Sequence, residues 1–180
     1  MSESEYFWTL SKGDARQLVN RSGAIVTMLK PAGFTLIELM IAVVIVGIIA
    51  AVGYPSYQSI MVGTHRSTAQ ADLMSFASAM ERHYATTFSY TGAASGSGNT
   101  GTPAVFAAYS PATEPAANKK YNLTIQSVSA DGNSYELRAV PVSGTAQAGD
   151  GTLYIFSDGR KAWDKNGDGS ISSNEYCWSC

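Results

Sequence analysis

The chain has 180 residues (19.0 kDa), with 12 Lys+Arg against 14 Asp+Glu and a formal charge of −2, a length that fits one domain with a modest core. Apolar residues make up 45% but charged residues only 14%, where about 25% is usual, so part of the chain is read as lying out of water. The charge balance offers no basic excess for a nucleic acid, and two cysteines, Cys177 and Cys180, exclude a multi-bridge framework and a four-cysteine zinc site.

In chain order, residues 1–27 mix charges with scattered apolar residues and show no clean period. Met28 opens a compact stretch, Met28-Leu29-Lys30-Pro31-Ala32-Gly33. The expectation is that Met28 is the genuine start, 1–27 an upstream extension, and 1–33 as a whole a leader. Residues 34–53 are then apolar for 20 positions with one charge, Glu38. A bilayer's hydrocarbon core needs about 20 helical residues, so 34–54 is expected to be a transmembrane helix. The run exceeds the ~7–15 apolar residues of a cleaved secretory signal, and a helical pattern follows it, so the span is expected to stay in the mature protein. Lys30 precedes the span and no basic residue follows until Arg66. That asymmetry keeps the N-terminal side in the cytoplasm and puts the C-terminal bulk outside, where disulfides are permitted.

Lys30-Pro31-Ala32-Gly33-Phe34-Thr35-Leu36-Ile37-Glu38 resembles the class III signal of type IV prepilins. The resemblance continues through Tyr54-Pro55-Ser56-Tyr57-Gln58 to Met80-Glu81-Arg82-His83-Tyr84, which is similar to type IVa pilins and their minor-pilin relatives. It implies that a prepilin peptidase cuts after Gly33 and N-methylates Phe34. It further implies that Glu38 neutralises the Phe34 amine of a neighbouring subunit during assembly. The reading from the residues alone is that Glu38 sits in the first turn, where the helix dipole favours an anion; the two are compatible. Other pilin subunits and the inner-membrane assembly machinery are the implied partners. The implied localisation is an inner-membrane single-pass protein with a periplasmic C-terminal domain, later part of an extracellular pilus.

Over 55–90 apolar residues recur at helical spacing (Tyr57, Ile60, Met61, Leu73, Phe76, Ala77, Met80, Tyr84) while Arg66, Asp72, Glu81 and Arg82 fall off the stripe. This amphipathic half should continue the membrane helix, with a kink at Pro55 and weak points at Gly47 and Gly53. One apolar stripe needs a sheet to cover it. Residues 91–118, rich in Gly, Ser, Ala and Pro, read as a long connecting loop and exposed, variable face. Over 119–180 three or four short antiparallel strands are expected: 121–128, a hairpin signal at Ala130-Asp131-Gly132-Asn133, 135–142, 153–156 and 160–163. The fold class is α+β, a long N-terminal helix on a small antiparallel sheet; the resemblance implies the pilin fold.

Asp164-Lys165-Asn166-Gly167-Asp168-Gly169-Ser170-Ile171-Ser172-Ser173-Asn174-Glu175 fits the EF-hand calcium-loop pattern. Asp164, Asn166 and Asp168, the Ser170 carbonyl, Ser172 and a bidentate Glu175 would supply oxygens from successive sides of Ca2+, with Gly169 at the sharp turn. A solvated Asp/Asn/Gly turn has the same composition. Cys177-Trp178-Ser179-Cys180 is a disulfide candidate whose short loop would add little stability, and a redox role lacks its thioredoxin-like context. His65 and His83 read as helix-surface residues. Lys119-Lys120 on a net-negative domain is weak ground for nucleic acid as a partner, and no nucleophile elbow, P-loop or paired carboxylates indicate an enzyme. Taken together, these features resemble a type IV pilin-like structural subunit, a minor pilin. Its rivals are a type II secretion pseudopilin, a membrane-tethered calcium-binding or adhesion module that never polymerises, and a membrane-anchored thiol oxidoreductase.

Overall fold

The computed structural model describes residues 33–179, and before them the backbone of three short strands. The chain divides into two compact units, Met1–Ala51 and Val52–Cys180. In the first, β1 (Trp8–Thr9), β2 (Arg16–Val19) and β3 (Ile25–Met28) form an antiparallel sheet in that order. The aperiodic sequence of 1–27 did not anticipate these strands. Apart from Gly33, the rest of the expected leader, including the basic Lys30, lies outside the described residues.

Helix α1 (Leu36–Thr87) runs through Gly47, Gly53 and Pro55 without ending. Its start follows from the local sequence: Thr35 precedes a run of helix-compatible residues that is apolar but for Glu38. From Leu36 to Val52 the large side chains are exposed, and the helix is long and apolar enough to cross a membrane. At the other end the Phe88 amide donates to the Tyr84 carbonyl (2.8 Å) with Phe88 at φ +57°, so the helix stops at Thr87, short of the expected residue 90.

In the second unit, β4 (Tyr109–Ser110), β5 (Tyr121–Val128), β6 (Tyr135–Pro141), β7 (Thr152–Phe156) and β8 (Lys161–Asp164) form one antiparallel sheet in sequence order. Burial in β5 and β6 alternates at period two, as expected when one face is covered. Tyr121, Leu123, Ile125, Leu137, Ala139, Leu153 and Ile155 make that face. Ala69, Leu73, Phe76 and Met80, one stripe of α1, close over it. Tyr57 and Ile60, expected in the stripe, are exposed instead.

Two expectations are corrected. The sheet has five strands rather than three or four, and the extra strand β4 comes from within the 91–118 loop. A two-residue strand has no alternation to read; it exists because Tyr109 and Ser110 pair with Asn122 and Tyr121. Nor is the loop simply an exposed face. Ala93 and Ala94 are buried, Gly101 bridges to Ile125, and Phe106 stacks on Phe76 with centroids 5.5 Å apart. The hairpin at Asp131-Gly132-Asn133 forms as its signal indicates; Gly132 sits at φ +70°, and a Cβ there would collide with Ser89.

A buried polar cluster ties the 142–151 loop to α1. Asp150 accepts from Arg66 Nε (2.8 Å) and Nη2 and from the Tyr121 hydroxyl. Gln147 donates to the Tyr121 hydroxyl (2.7 Å) and to the Val62 carbonyl (3.2 Å). Trp163 Nε1 donates to the Asp150 carbonyl, and the Arg66 guanidinium lies 4.0 Å over the Trp163 ring.

Candidate functional sites: the processing junction and the C-terminal loop

At the head of α1, Thr35 and Glu38 form a reciprocal cap. The Glu38 amide donates to Thr35 Oγ1 (3.3 Å), and Glu38 Oε2 accepts from the Thr35 amide (3.0 Å) and hydroxyl (2.8 Å). This is the Thr-x-x-Glu capping box, which satisfies amides left orphaned at a helix start. It makes the first-turn reading of Glu38 concrete and leaves Oε1 without a described bond. Gly33 and Phe34 precede the helix in exposed, non-helical backbone. The Gly33-Phe34 step is therefore open chain next to a fixed helix start.

The 164–175 loop hangs from the end of β8. Asp164 and Glu175 are buried, while Asn166, Asp168, Ser170 and Ser172 are exposed. Asp164 accepts from the Gly167 (2.8 Å) and Gly169 (3.0 Å) amides. Asn166 accepts from the Asp168 amide, and Asp168 accepts from the Ser170 amide (2.8 Å) and the Asn166 side chain (2.8 Å). Glu175 Oε2 accepts from the Ser172 hydroxyl (2.6 Å) and amide (3.0 Å), and those bonds hold its carboxyl below the usual glutamate range. Gly169, expected at the sharp turn, takes φ +80°, and Gly167 also takes a left-handed φ of +71°. The oxygens of Asp164, Asn166 and Asp168 are thus turned to the loop's own amides. Among the described residues no three His, Cys, Asp or Glu side chains converge as a metal cluster.

Cys177 is disulfide-bonded. Cys180, the one other cysteine in the sequence, lies outside the described residues. Beside the loop runs a feature that sequence reading missed. The Arg160 guanidinium lies 4.8 Å from the Phe156 ring centroid and 5.5 Å from that of Tyr176, and Lys161 Nζ lies 4.6 Å from the Trp178 ring. The residues are scattered over 156–178, so only the β7–β8 turn and the returning tail bring them together. His83 is half-buried rather than a plain surface residue and donates to the Thr91 carbonyl (2.8 Å).

Two family profiles match the chain. Residues 28–54 match the prokaryotic N-terminal methylation motif, and residues 55–153 match the family described as type IV minor pilin ComP, DNA uptake sequence receptor. No curated protein and no solved structure matches. The second profile covers more than half of the chain, and the exposed apolar helix and small antiparallel sheet are what a pilin needs for anchoring and for its head. The chain belongs to the ComP family of type IV minor pilins.

Proposed function

We propose that this minor pilin is cut after Gly33, N-methylated at Phe34 and held in the inner membrane with its head in the periplasm. It then enters an extracellular pilus, with Glu38 neutralising the Phe34 amine of a neighbouring subunit. On this reading the chain is the substrate of the peptidase and a structural subunit, not an enzyme. The observation that carries it is the junction itself: an exposed Gly33-Phe34 step, a capped first turn and one free oxygen on Glu38, within the matched methylation motif. Intact-mass analysis of membrane-derived protein tests it. A mature chain beginning at N-methyl-Phe34, lost in Gly33→Ala, is the expected result; an uncut chain in the unaltered protein overturns it.

A second reading concerns nucleic acid. The matched family is described as a DNA uptake sequence receptor, which runs against the sequence expectation that nucleic acid is not a partner. Arg160 and Lys161 beside the exposed Tyr176 ring supply the cation-plus-aromatic surface such contacts use. Duplex binding by the full chain should weaken with salt, and Arg160→Ala/Lys161→Ala should flatten the log–log slope by about 2. An unchanged slope rules this edge out as the contact.

Structural calcium in the 164–175 loop is a separate proposal, supported by the spacing of Asp164, Asn166, Asp168, Ser170, Ser172 and Glu175. Binding requires the exposed oxygens to swing from the loop amides toward one point.

A further inference from the structure

Beyond the pilin reading, the sheet face turned away from α1 carries a groove of ≈ 870 Å³ that neither filament assembly nor processing explains. That volume lies within the about 300–1,000 Å³ of small-ligand sites. Strand register sets its floor. Arg138 pairs with Tyr154, and Glu136 with Phe156, across β6 and β7. The Gly-rich segments 148–151 and 165–171 form parts of its rim.

Several polar atoms on this floor have no hydrogen-bond partner among the described residues. Tyr154 is only 7% exposed, yet its hydroxyl bonds to no described group of the protein. The half-buried Glu136 carboxylate accepts no hydrogen bond from the described residues; burial pushes its pKa up and Arg138 partly opposes this. Arg138 commits Nε to Thr124 Oγ1 (3.2 Å), which leaves its terminal nitrogens available. These groups open onto the groove, so its floor offers both donors and acceptors to a ligand.

Charge decides the class. The lining holds Arg138 and Lys165 against Glu136 and Asp164, a balance of zero. A polyanion would meet the open carboxylate of Glu136, and a cation would meet Arg138. A neutral ring with several hydroxyls meets neither penalty. It donates to Glu136, accepts from Arg138, exchanges a bond with Tyr154 and lays its C–H face on Phe156. We propose that this groove binds a neutral saccharide chain.

The test uses the full chain in a detergent without a sugar headgroup. It is applied to an array of neutral oligosaccharides, with sulfated oligosaccharides and duplex DNA alongside as polyanions. Neutral glycans should be captured. Tyr154→Phe should weaken capture about threefold to tenfold, and Glu136→Gln about tenfold. Neither should lower the Tm, and Glu114→Gln, on an exposed loop, should change nothing. Failure to capture any neutral glycan overturns the proposal, as does undiminished capture by the two groove variants or a preference for the polyanions. The DNA reading is tested at Arg160 and Lys161, so the two can fail separately.

Discussion

Asp150 shows how much one side chain can hold. It is buried, it takes both nitrogens of an Arg66 fork and the Tyr121 hydroxyl, and its own carbonyl is capped by Trp163. Removing it leaves Arg66 and Tyr121 facing each other without an acceptor. Asp150→Ala should therefore cost about 3 kcal/mol in urea unfolding, far more than an exposed ion pair such as Arg160–Asp158 contributes. Glu136 points the other way. Burial raises its folded pKa above the reference value of 4.5, so the unfolded chain ionises first and stability falls as pH rises through the folded value. Glu136→Gln removes that penalty. The variant should match the parent's Tm at pH 3 and exceed it at pH 7.

At the scale of elements, α1 is fastened to the sheet by a few large side chains. Phe76 is fully buried and stacked on Phe106 from the connecting loop. Phe76→Ala should cost about 3–5 kcal/mol, and it should loosen loop and helix together. The end of α1 is tied down by tyrosines. Tyr90 and Tyr135 both donate to Glu81, and Tyr90 packs edge-on against Tyr135 with centroids 4.7 Å apart. Burial pushes the Tyr90 pKa up to about 12 and raises Tyr135 above the ordinary tyrosine value as well. The folded state thus resists an ionisation that the unfolded chain undergoes near pH 10, so stability should fall from pH 10 through about 12, read as a lower urea midpoint. For the 164–175 loop, 5 mM calcium should raise the unfolding free energy by about 1–2 kcal/mol if the affinity is that of extracellular modules. No Tm shift and no calorimetric heat at that concentration would remove the ion from the account.

For the whole molecule, two kinds of surface separate two kinds of requirement. The exposed apolar run of α1 is long and apolar enough to cross a membrane; the head's stability comes from its own core and its polar cluster. Glu38→Val should accordingly leave the head's Tm unchanged and abolish recovery of the protein in sheared filaments. Reducing the bridge at Cys177 should lower stability by less than about 1 kcal/mol if it closes the two-residue gap to Cys180, since so short a loop restricts the unfolded chain little.

The processing junction was legible because its chemistry is local: a glycine, an aromatic, a Thr-x-x-Glu cap and 20 apolar positions are consecutive in sequence. The hairpin at Gly132 and the left-handed glycines of the C-terminal loop were legible for the same reason, since each depends on backbone torsions set by neighbouring residues. Strand β4, the Arg66–Asp150 pair, the cation–aromatic edge and the groove over Glu136 and Tyr154 were not. Their partners lie far apart in the chain, Arg66 and Asp150 by 84 positions, and no periodicity encodes which distant side chains meet. The sequence by itself determined the apolar run, the methylation-motif match and the helix-on-sheet class through short-range pattern. Only the tertiary structure decided which polar groups are buried with partners and which are left open, because that depends on strand register and on what the sheet packs against.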